Sequence, residues 1–287
     1  MKKNISIAGC GVIGLTTAIK VAGRRYEVRI VTRDWSMHSY KKFEALAEVE
    51  NSGVHMTPIL KMGNEVNEME QRIRTTLREE KFLPLRKEEL RGGFNSGWYI
   101  QVPLIETPVY LPYLLNEFMG GGGKIIRHTL LSLEELPDDS CIVINCTGLA
   151  SRELAYDDEV IPVRGRSALL KTKNLHRIIL EDISPTYIVY REDGCICGGT
   201  YEMNGNEEVT NPETLQKIIE RCIALEPQLQ SATLIDSWAG LRPFRAGMRV
   251  EIEKGKPLIH NYGHGGSGFT VSWGCAEEVV KLFCKME

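Results

Sequence analysis

Gly9-Cys10-Gly11-Val12-Ile13-Gly14 constrains what this chain can fold into more than any other short stretch. A brief apolar run, Ile5-Ser6-Ile7-Ala8, precedes it and reads as a strand. Leu15, Ala18, Ile19 and Ala22 follow at helical spacing, and Val28 to Val31 reads as a second strand. GxGxxG arises by chance in glycine-rich loops, and this chain has 27 glycines. Placed between a strand and a helix, in a βαβ unit, it predicts a dinucleotide site. Glycine lets backbone approach a pyrophosphate, while the helix N-terminus offers unpaired N–H groups and a positive dipole end. Asp34 stands at the end of the second strand, about twenty residues past the last glycine, where an acid contacting a ribose is expected. The motif leaves NAD, NADP and FAD open and carries no chemistry of its own.

The rest of the chain bounds the answer. Its 287 residues suffice for one large domain or two interleaved ones. A net charge of −3 argues against a nucleic-acid partner. No apolar run approaches a membrane span. The entry straight into a strand predicts no signal peptide, and the ending Lys285-Met286-Glu287 is unlike a peroxisomal address, so the expected location is cytoplasmic. Eight cysteines are scattered without a CxxC pair. Cys195 and Cys197 alternate along a strand and share a face, which reads as packing, so no metal site is expected. Free thiols suit a reducing compartment.

Tyr40, Phe43 and Leu46 recur at helical spacing, as do Met69, Ile73 and Leu77 within a charged stretch from Glu65 to Arg91. Phe94 to Gln101 reads as a strand entered through glycine turns. Thr107-Pro108 predicts an N-cap and a first helical proline, with Leu111, Leu114, Leu115 and Phe118 as the apolar stripe. Gly120 to Gly123 ends that helix, and Lys124 to Arg127 reads as a short strand. Cys141-Ile-Val-Ile-Asn-Cys146 has the continuous apolar character of a strand covered on both faces. Ser167–Leu170, Tyr187–Tyr190 and Cys195–Gly199 are further strands, the last two joined by a turn at Glu192-Asp193-Gly194. Asn211-Pro212-Glu213 opens a helix striped by Leu215, Ile218, Ile219 and Cys222. Strands at Leu234–Trp238, Arg249–Glu253 and Leu258–His260 lead to a glycine-rich loop and a last helix.

Two segments near the C-terminus suggest chemistry. Asn261-Tyr-Gly-His-Gly-Gly-Ser-Gly-Phe-Thr270 places four glycines directly before a helix, so several N–H groups stand clear of side chains. Such a helix end favours a ring that gains negative charge on reduction; a tight packing turn is the plain alternative. Arg242, before Pro243, suits a carboxylate through two parallel hydrogen bonds, or an ordinary ion pair. Tyr187 offers a hydroxyl to the same carboxylate, or simply half-buries its ring in a strand. His264, between glycines, is not assigned a catalytic role.

Gly9-Cys-Gly-Val-Ile-Gly-Leu-Thr-Thr-Ala, Val143-Ile-Asn-Cys-Thr-Gly148, Gly240-Leu-Arg-Pro243 and His260-Asn-Tyr-Gly-His-Gly-Gly-Ser-Gly268 occur in this order across nearly the whole chain, which thereby resembles the D-amino-acid oxidase family of flavoproteins. The resemblance implies noncovalent FAD and oxidative deamination of a D-amino acid by hydride transfer to flavin N5, giving a 2-oxo acid, ammonia and hydrogen peroxide. By position it implies Arg242 as the carboxylate clamp, Tyr187 as its assistant and the Gly266 carbonyl as acceptor of the substrate amine. The cofactor contacts it implies are Gly9, Gly11, Val12, Ile13, Gly14, Arg33, Asp34, Gly148, Gly265, Gly266, Ser267, Gly268, Phe269 and Thr270. The family carries a Thr/Ser-rich stretch after its second strand, but here Asp34 runs directly into Trp35-Ser-Met-His, so part of that cradle is missing.

The expected fold is α/β, a Rossmann-like FAD-binding domain with a parallel sheet interleaved with a mixed, antiparallel-sheet substrate domain. Residues 1–50, 120–160 and 230–287 are read as the first domain, 51–119 and 161–229 as the second. Expected partners are a small D-amino acid and oxygen, with neither nucleic acid nor membrane; a homodimer fits as well as a monomer. Competing readings are a glycine- or sarcosine-type amine oxidase, a non-catalytic dinucleotide-binding relative motivated by the missing stretch, and an NAD(P)-dependent dehydrogenase sharing only the first βαβ unit.

Overall fold

The computed structural model describes residues 4–23, 35–64, 79–136, 140–172 and 177–286, together with Gln71, Arg74, Thr75, Leu77 and Leu175. In chain order its main elements are β1 (Asn4–Ala8), α1 (Val12–Ala22), α2 (Trp35–Leu46), β2 (Val54–Gly63), β3 (Leu83–Pro84), β4 (Ser96–Ile105), α3 (Thr107–Gly120) and β5 (Ser140–Asn145). There follow α4 (Ser151–Leu154), β6 (Ile161–Lys171), β7 (Ile178–Glu181), β8 (Tyr187–Arg191), β9 (Gly194–Gly198), β10 (Glu202–Met203), α5 (Pro212–Leu225), β11 (Thr233–Ile252), β12 (Leu258–His264) and α6 (Gly268–Lys285). The chain forms two units, one of Met1–Val54, Ile105–Pro162 and Arg242–Glu287, the other of His55–Leu104 and Val163–Leu241.

In the first unit the strands lie in the order β1-β5-β12-β11. β5 runs parallel to β1, with Ala8 opposite Asn145, and parallel to β12, with His260 opposite Asn145. β11 closes the order antiparallel to β12. The apolar run of β5 explains its central place: Ile142 and Ile144 are buried with Ile259 of β12 and with Val279 and Phe283 of α6. α1 turns Leu15 and Ala18 inward, as the helical spacing requires. α3 joins this packing through Tyr110, whose hydroxyl accepts from Trp273 Nε1 of α6 at 2.9 Å and whose ring meets Phe43 of α2 edge-on. α2 meets α6 as well, with Ser39 Oγ accepting from Gly274 N–H at 3.0 Å.

The second unit holds the order β6-β9-β8-β7-β2-β4-β3, with β10 on β6. β8 and β9 form a hairpin whose two-residue turn, Glu192-Asp193, is closed by Arg191 opposite Gly194; Gly194 takes φ +150° there. α5 starts where the sequence signals it: Asn211 Oδ1 accepts from Thr214 N–H at 2.8 Å, and Pro212 fills the first turn. Its stripe of Leu215, Ile218, Cys222 and Leu225 packs on Ala168, Leu170, Cys195 and Cys197. Those cysteines share a face, as their alternation predicts, and are fully buried. Hydrogen bonding to Cys197 and burial push the Cys195 thiol up. Cys195 lowers that of Cys197, but Cys222 and burial outweigh it and leave it raised.

Three local expectations change. Lys124 to Arg127 is not a strand: Ile125 and Ile126 are exposed, so no packing pulls the segment into a sheet. Gln71, Arg74, Thr75 and Leu77 are helical, in keeping with the spacing of Met69, Ile73 and Leu77; beyond them Glu79 to Arg91 forms two short 3₁₀ turns around β3, and Glu89 turns back onto the Arg86 N–H at 2.9 Å. The strands expected at Leu234–Trp238 and Arg249–Glu253 are one strand, β11, which runs through Pro243 and shifts register against β12 between Phe244 and Arg249. α3 is capped by Glu106 instead of Thr107, since the Glu106 carbonyl already accepts from Val109 and Tyr110. Val28 to Val31, Met69 and Ile73 lie outside the described residues.

Gly14 tests this architecture. A Cβ there would lie 2.0 Å from the Gly9 carbonyl oxygen, a backbone atom that cannot rotate away. Gly14→Ala is therefore expected to destabilise the protein by about 1–3 kcal/mol despite the better helix propensity of alanine. Urea unfolding of the two proteins checks it; equal midpoints would contradict the packing of the turn.

Candidate functional site

Each glycine of the first turn has its own reason to be glycine. Gly9 takes φ +104°, and a Cβ on it would meet the Cys146 carbonyl oxygen at 2.4 Å. Gly14 packs on Gly9. Gly11 has nothing within 4 Å of its Cβ direction and is exposed, leaving open space at the start of α1. Gly11 is also the N-cap of α1 and gives it no side-chain hydrogen bond. The first N–H groups of α1 are thus left for an external acceptor. Val12 and Ile13 turn their side chains into the apolar clusters on either side, so any contact they make there is through their backbone.

The last helix repeats this arrangement. Gly265 takes φ +53°, Gly266 and Ser267 are exposed, and Ser267 caps α6 without a side-chain hydrogen bond. The two helices are laterally bonded. Thr16 Oγ1 donates to the Ser272 carbonyl at 3.4 Å, and Lys20 pairs with Glu277 at 2.8 Å. The two contacts span sequence separations of 256 and 257, so the helices run in the same direction, and their first residues, Val12 and Gly268, stand level. Asn261 Nδ2 adds a bond to Thr17 Oγ1 at 3.0 Å. Both glycine turns therefore meet at the edge where β1, β5 and β12 end, the ligand edge of an open α/β sheet. Phe269 packs beside Tyr110, whereas Thr270 is exposed.

β5 and the start of β11 complete the edge. Gly148, at φ +61°, lies near Pro243, with 3.8 Å between its Cβ direction and Pro243 Cγ. Gly265 lies near Phe244. Gly266 faces Arg242, with 3.5 Å from its Cβ direction to Arg242 Cδ and 3.7 Å to Nε. The structure thus brings together Gly9, Gly11, Gly14, Gly148, Gly265, Gly266, Ser267, Gly268 and Arg242. Arg33 and Asp34 lie outside the described residues. Tyr187 belongs to the second unit. Its hydroxyl is 2.8 Å from Ser167 Oγ, and its ring covers Gly198, where a Cβ would fall 2.1 Å from the ring.

His264 is 6% exposed, and among the described residues its Nε2 has no hydrogen-bond partner. Burial pushes its pKa down to about 4, so the ring is neutral at pH 7 and is not an imidazolium acid there. Sequence reasoning passed over a polar network behind the turns. Asp157 accepts from Tyr262 Oη at 2.7 Å and from Arg245 Nε at 3.0 Å. Burial raises the Asp157 carboxyl, but these donors outweigh it and hold it below its ordinary range. The signal available in sequence was a strand, Arg249 to Glu253, with three charged residues at alternate positions, a pattern that suits ion pairing along one face.

The residues present fit a dinucleotide: an uncapped helix start, open space at Gly11 and a second uncapped start level with the first all favour an anionic, extended ligand. The turn Gly9 to Gly14 would hold its phosphates. Among the described residues no group of three or more His, Cys, Asp or Glu side chains could hold a metal ion, and no helix is long and apolar enough to cross a membrane.

The pH response of stability reports on His264. An unfolded chain protonates it near 6.5, the folded chain near 4, so its share of stability is complete above pH 6.5 and drains away as pH falls. By pH 4 the loss reaches about 3 kcal/mol. Urea unfolding between pH 4 and 7 should show this slope flattened in His264→Gln; parallel curves would contradict it.

Comparison with known proteins agrees with this geometry. Residues 32–282 match the family model for FAD dependent oxidoreductases. The D-amino-acid oxidase of Rubrobacter xylanophilus is 36% identical, with 96% of this chain and 94% of that protein covered. The D-amino-acid oxidase of Streptomyces coelicolor is 30% identical, with 97% and 96% covered. The alignment to the Rubrobacter protein runs over 309 positions, longer than this chain of 287 residues, so that relative carries insertions with no counterpart here. A glycine oxidase structure from Geobacillus kaustophilus superposes with a TM-score of 0.81 at 17% identity, covering 99% of this chain and 95% of its own. Descent and geometry agree that this chain belongs to the FAD-dependent oxidoreductase family, with FAD as its cofactor.

Proposed function

We propose that the protein oxidises a D-amino acid to its 2-oxo acid, with ammonia and hydrogen peroxide as the other products. The observation that carries this reading is the placement of Arg242 along Gly266, inside the second glycine turn. Relatives named D-amino-acid oxidase that match almost the whole chain support it. FAD held by the Gly9 to Gly14 turn and the Gly265 to Gly268 turn would supply the two-electron acceptor for hydride from the substrate Cα, with dioxygen as the terminal oxidant.

What the chain itself contributes is positioning. Arg242 fixes the substrate carboxylate by two parallel charge-assisted hydrogen bonds. The Gly266 carbonyl accepts from the amine. With two polar groups held, the Cα–H has one orientation left toward the acceptor, and orientation of this kind lowers a barrier without a side-chain base. His264, neutral and buried, fits that division of labour. The start of α6 favours negative charge beside it and would stabilise the reduced form of a flavin ring held there. The imino acid left after hydride loss takes up water and releases ammonia.

Two measurements test the parts separately. Gly11→Ala puts a methyl into the open space at the α1 start without touching the fold, so it should weaken FAD binding by at least about tenfold at unchanged stability of the apoprotein. Anaerobic addition of D-amino acids should bleach the flavin absorbance, whereas L-isomers, glycine and sarcosine should not. Arg242→Ala should raise KM by about 10–100-fold. Bleaching by glycine or sarcosine alone, a protein that is colourless with added FAD, or an unchanged KM in Arg242→Ala would overturn the reading.

A further inference from the structure

The peptide between Cys146 and Thr147 is the surface on which the first glycine turn rests. A Cβ on Gly9 would lie 2.4 Å from the Cys146 carbonyl oxygen and 3.3 Å from Thr147 N. Asn145, the last residue of β5, holds that peptide from behind. Its Oδ1 accepts from the Thr147 N–H at 3.1 Å and from Thr147 Oγ1 at 2.7 Å. Thr147 Oγ1 is also 2.9 Å from Ser151 Oγ.

The polarity of this cluster is forced. A backbone N–H can only donate, so the amide oxygen of Asn145 must face it. The amide nitrogen then faces His260 Nδ1, at 3.3 Å. That nitrogen also only donates, so His260 Nδ1 has to accept and the ring proton sits on Nε2. Nε2 in turn donates to Glu253 Oε2 at 2.9 Å. One backbone N–H thus dictates, through the Asn145 side chain, the tautomer of an imidazole that is 1% exposed.

We propose that His260 is a positioning residue for the FAD phosphate turn: as the neutral Nε2–H tautomer it orients Asn145, and Asn145 fixes the peptide against which Gly9 stands. A second ring proton would set donor against donor. Asn145 would have to turn its oxygen to the ring and its NH₂ group to the Thr147 N–H, and the peptide would lose its anchor. Burial works against that proton and outweighs the pull of the carboxylates around the ring. β11 supplies Glu251, Glu253 and Arg249; Arg249 bonds Glu253 at 2.6 Å and Glu251 at 2.8 Å. β12 itself supplies Tyr262, bonded to Arg249 and to Asp157. β5 supplies the neutral Asn145, with Thr147 and Ser151 behind it. Burial lowers the basicity of His260, Glu253 raises it, and Arg249 lowers it again, with a net fall.

The inference rests on the FAD family assignment and not on the identity of the substrate. Its first test needs no cofactor: long-range ¹⁵N–¹H NMR correlation of the His260 ring at pH 7 should show a neutral ring protonated on Nε2. A ring protonated on Nδ1, or on both nitrogens, overturns the proposal. The second test separates the two halves of the imidazole. In His260→Asn the new amide oxygen stands where Nδ1 stood and keeps the acceptor toward Asn145. In His260→Gln the new amide nitrogen stands where Nε2 stood and keeps only the donor toward Glu253. Flavin fluorescence quenching on the apoproteins should find FAD bound about tenfold more weakly by His260→Gln than by His260→Asn. Equal losses, or a larger loss in His260→Asn, would mean that the ring merely fills space.

Discussion

The lateral bonding of α1 to α6 governs the functional edge of this protein. Two helices from opposite ends of the chain run side by side in one direction, tied by Thr16 to Ser272 and by Lys20 to Glu277. Parallel helix dipoles bring two positive ends together, an arrangement that is unfavourable by itself. The bonds between the helices and the burial of Leu15, Ala18, Val279 and Val280 offset that cost. A bound anion relieves it directly. The geometry that makes the edge electrostatically costly in the empty protein is thus the geometry that makes it receptive to phosphates and to a ring that becomes negative on reduction.

Sequence reading found this edge because its residues are limited by backbone geometry. Gly9 and Gly14 leave no room for a Cβ, and no side chain can substitute for that lack. The α5 start was equally legible, since Asn211 and Pro212 act within one turn of themselves. Reading failed where the decisive partner is far away in sequence. Ile125 and Ile126 look like strand residues, yet among the described residues they stand exposed. β11 looks like two strands because Pro243 interrupts the pattern, and only its neighbours reveal that pairing resumes beyond it. His260 and Asn145 lie 115 positions apart, and their bond depends on strand register that no local pattern encodes.

The second unit shows a different use of the same residue type. Gly198 has no space for a side chain because the Tyr187 ring occupies it, and Ser167 meets the phenol oxygen from the neighbouring strand. Here glycine fixes an aromatic ring instead of admitting a ligand. The expectation that Tyr187 contacts substrate is carried by the resemblance to flavoprotein oxidases, and its setting in the sheet explains how such a hydroxyl could be kept in one orientation.

The distribution of sulfur has a consequence if the proposed oxidase reaction releases peroxide. Peroxide attacks thiolates, not thiols. Cys195, Cys197 and Cys275 are walled off from water and held in the thiol form, Cys195 through its bond to Cys197 and burial, Cys197 through Cys222 and burial, and Cys275 through burial. Among the described residues only Cys10 and Cys284 are in contact with solvent. Cys10 sits between Gly9 and Gly11, in the turn where phosphates are expected. Oxidative wear would therefore be registered first at the cofactor's own doorstep, while the sulfur of the interior outlasts it.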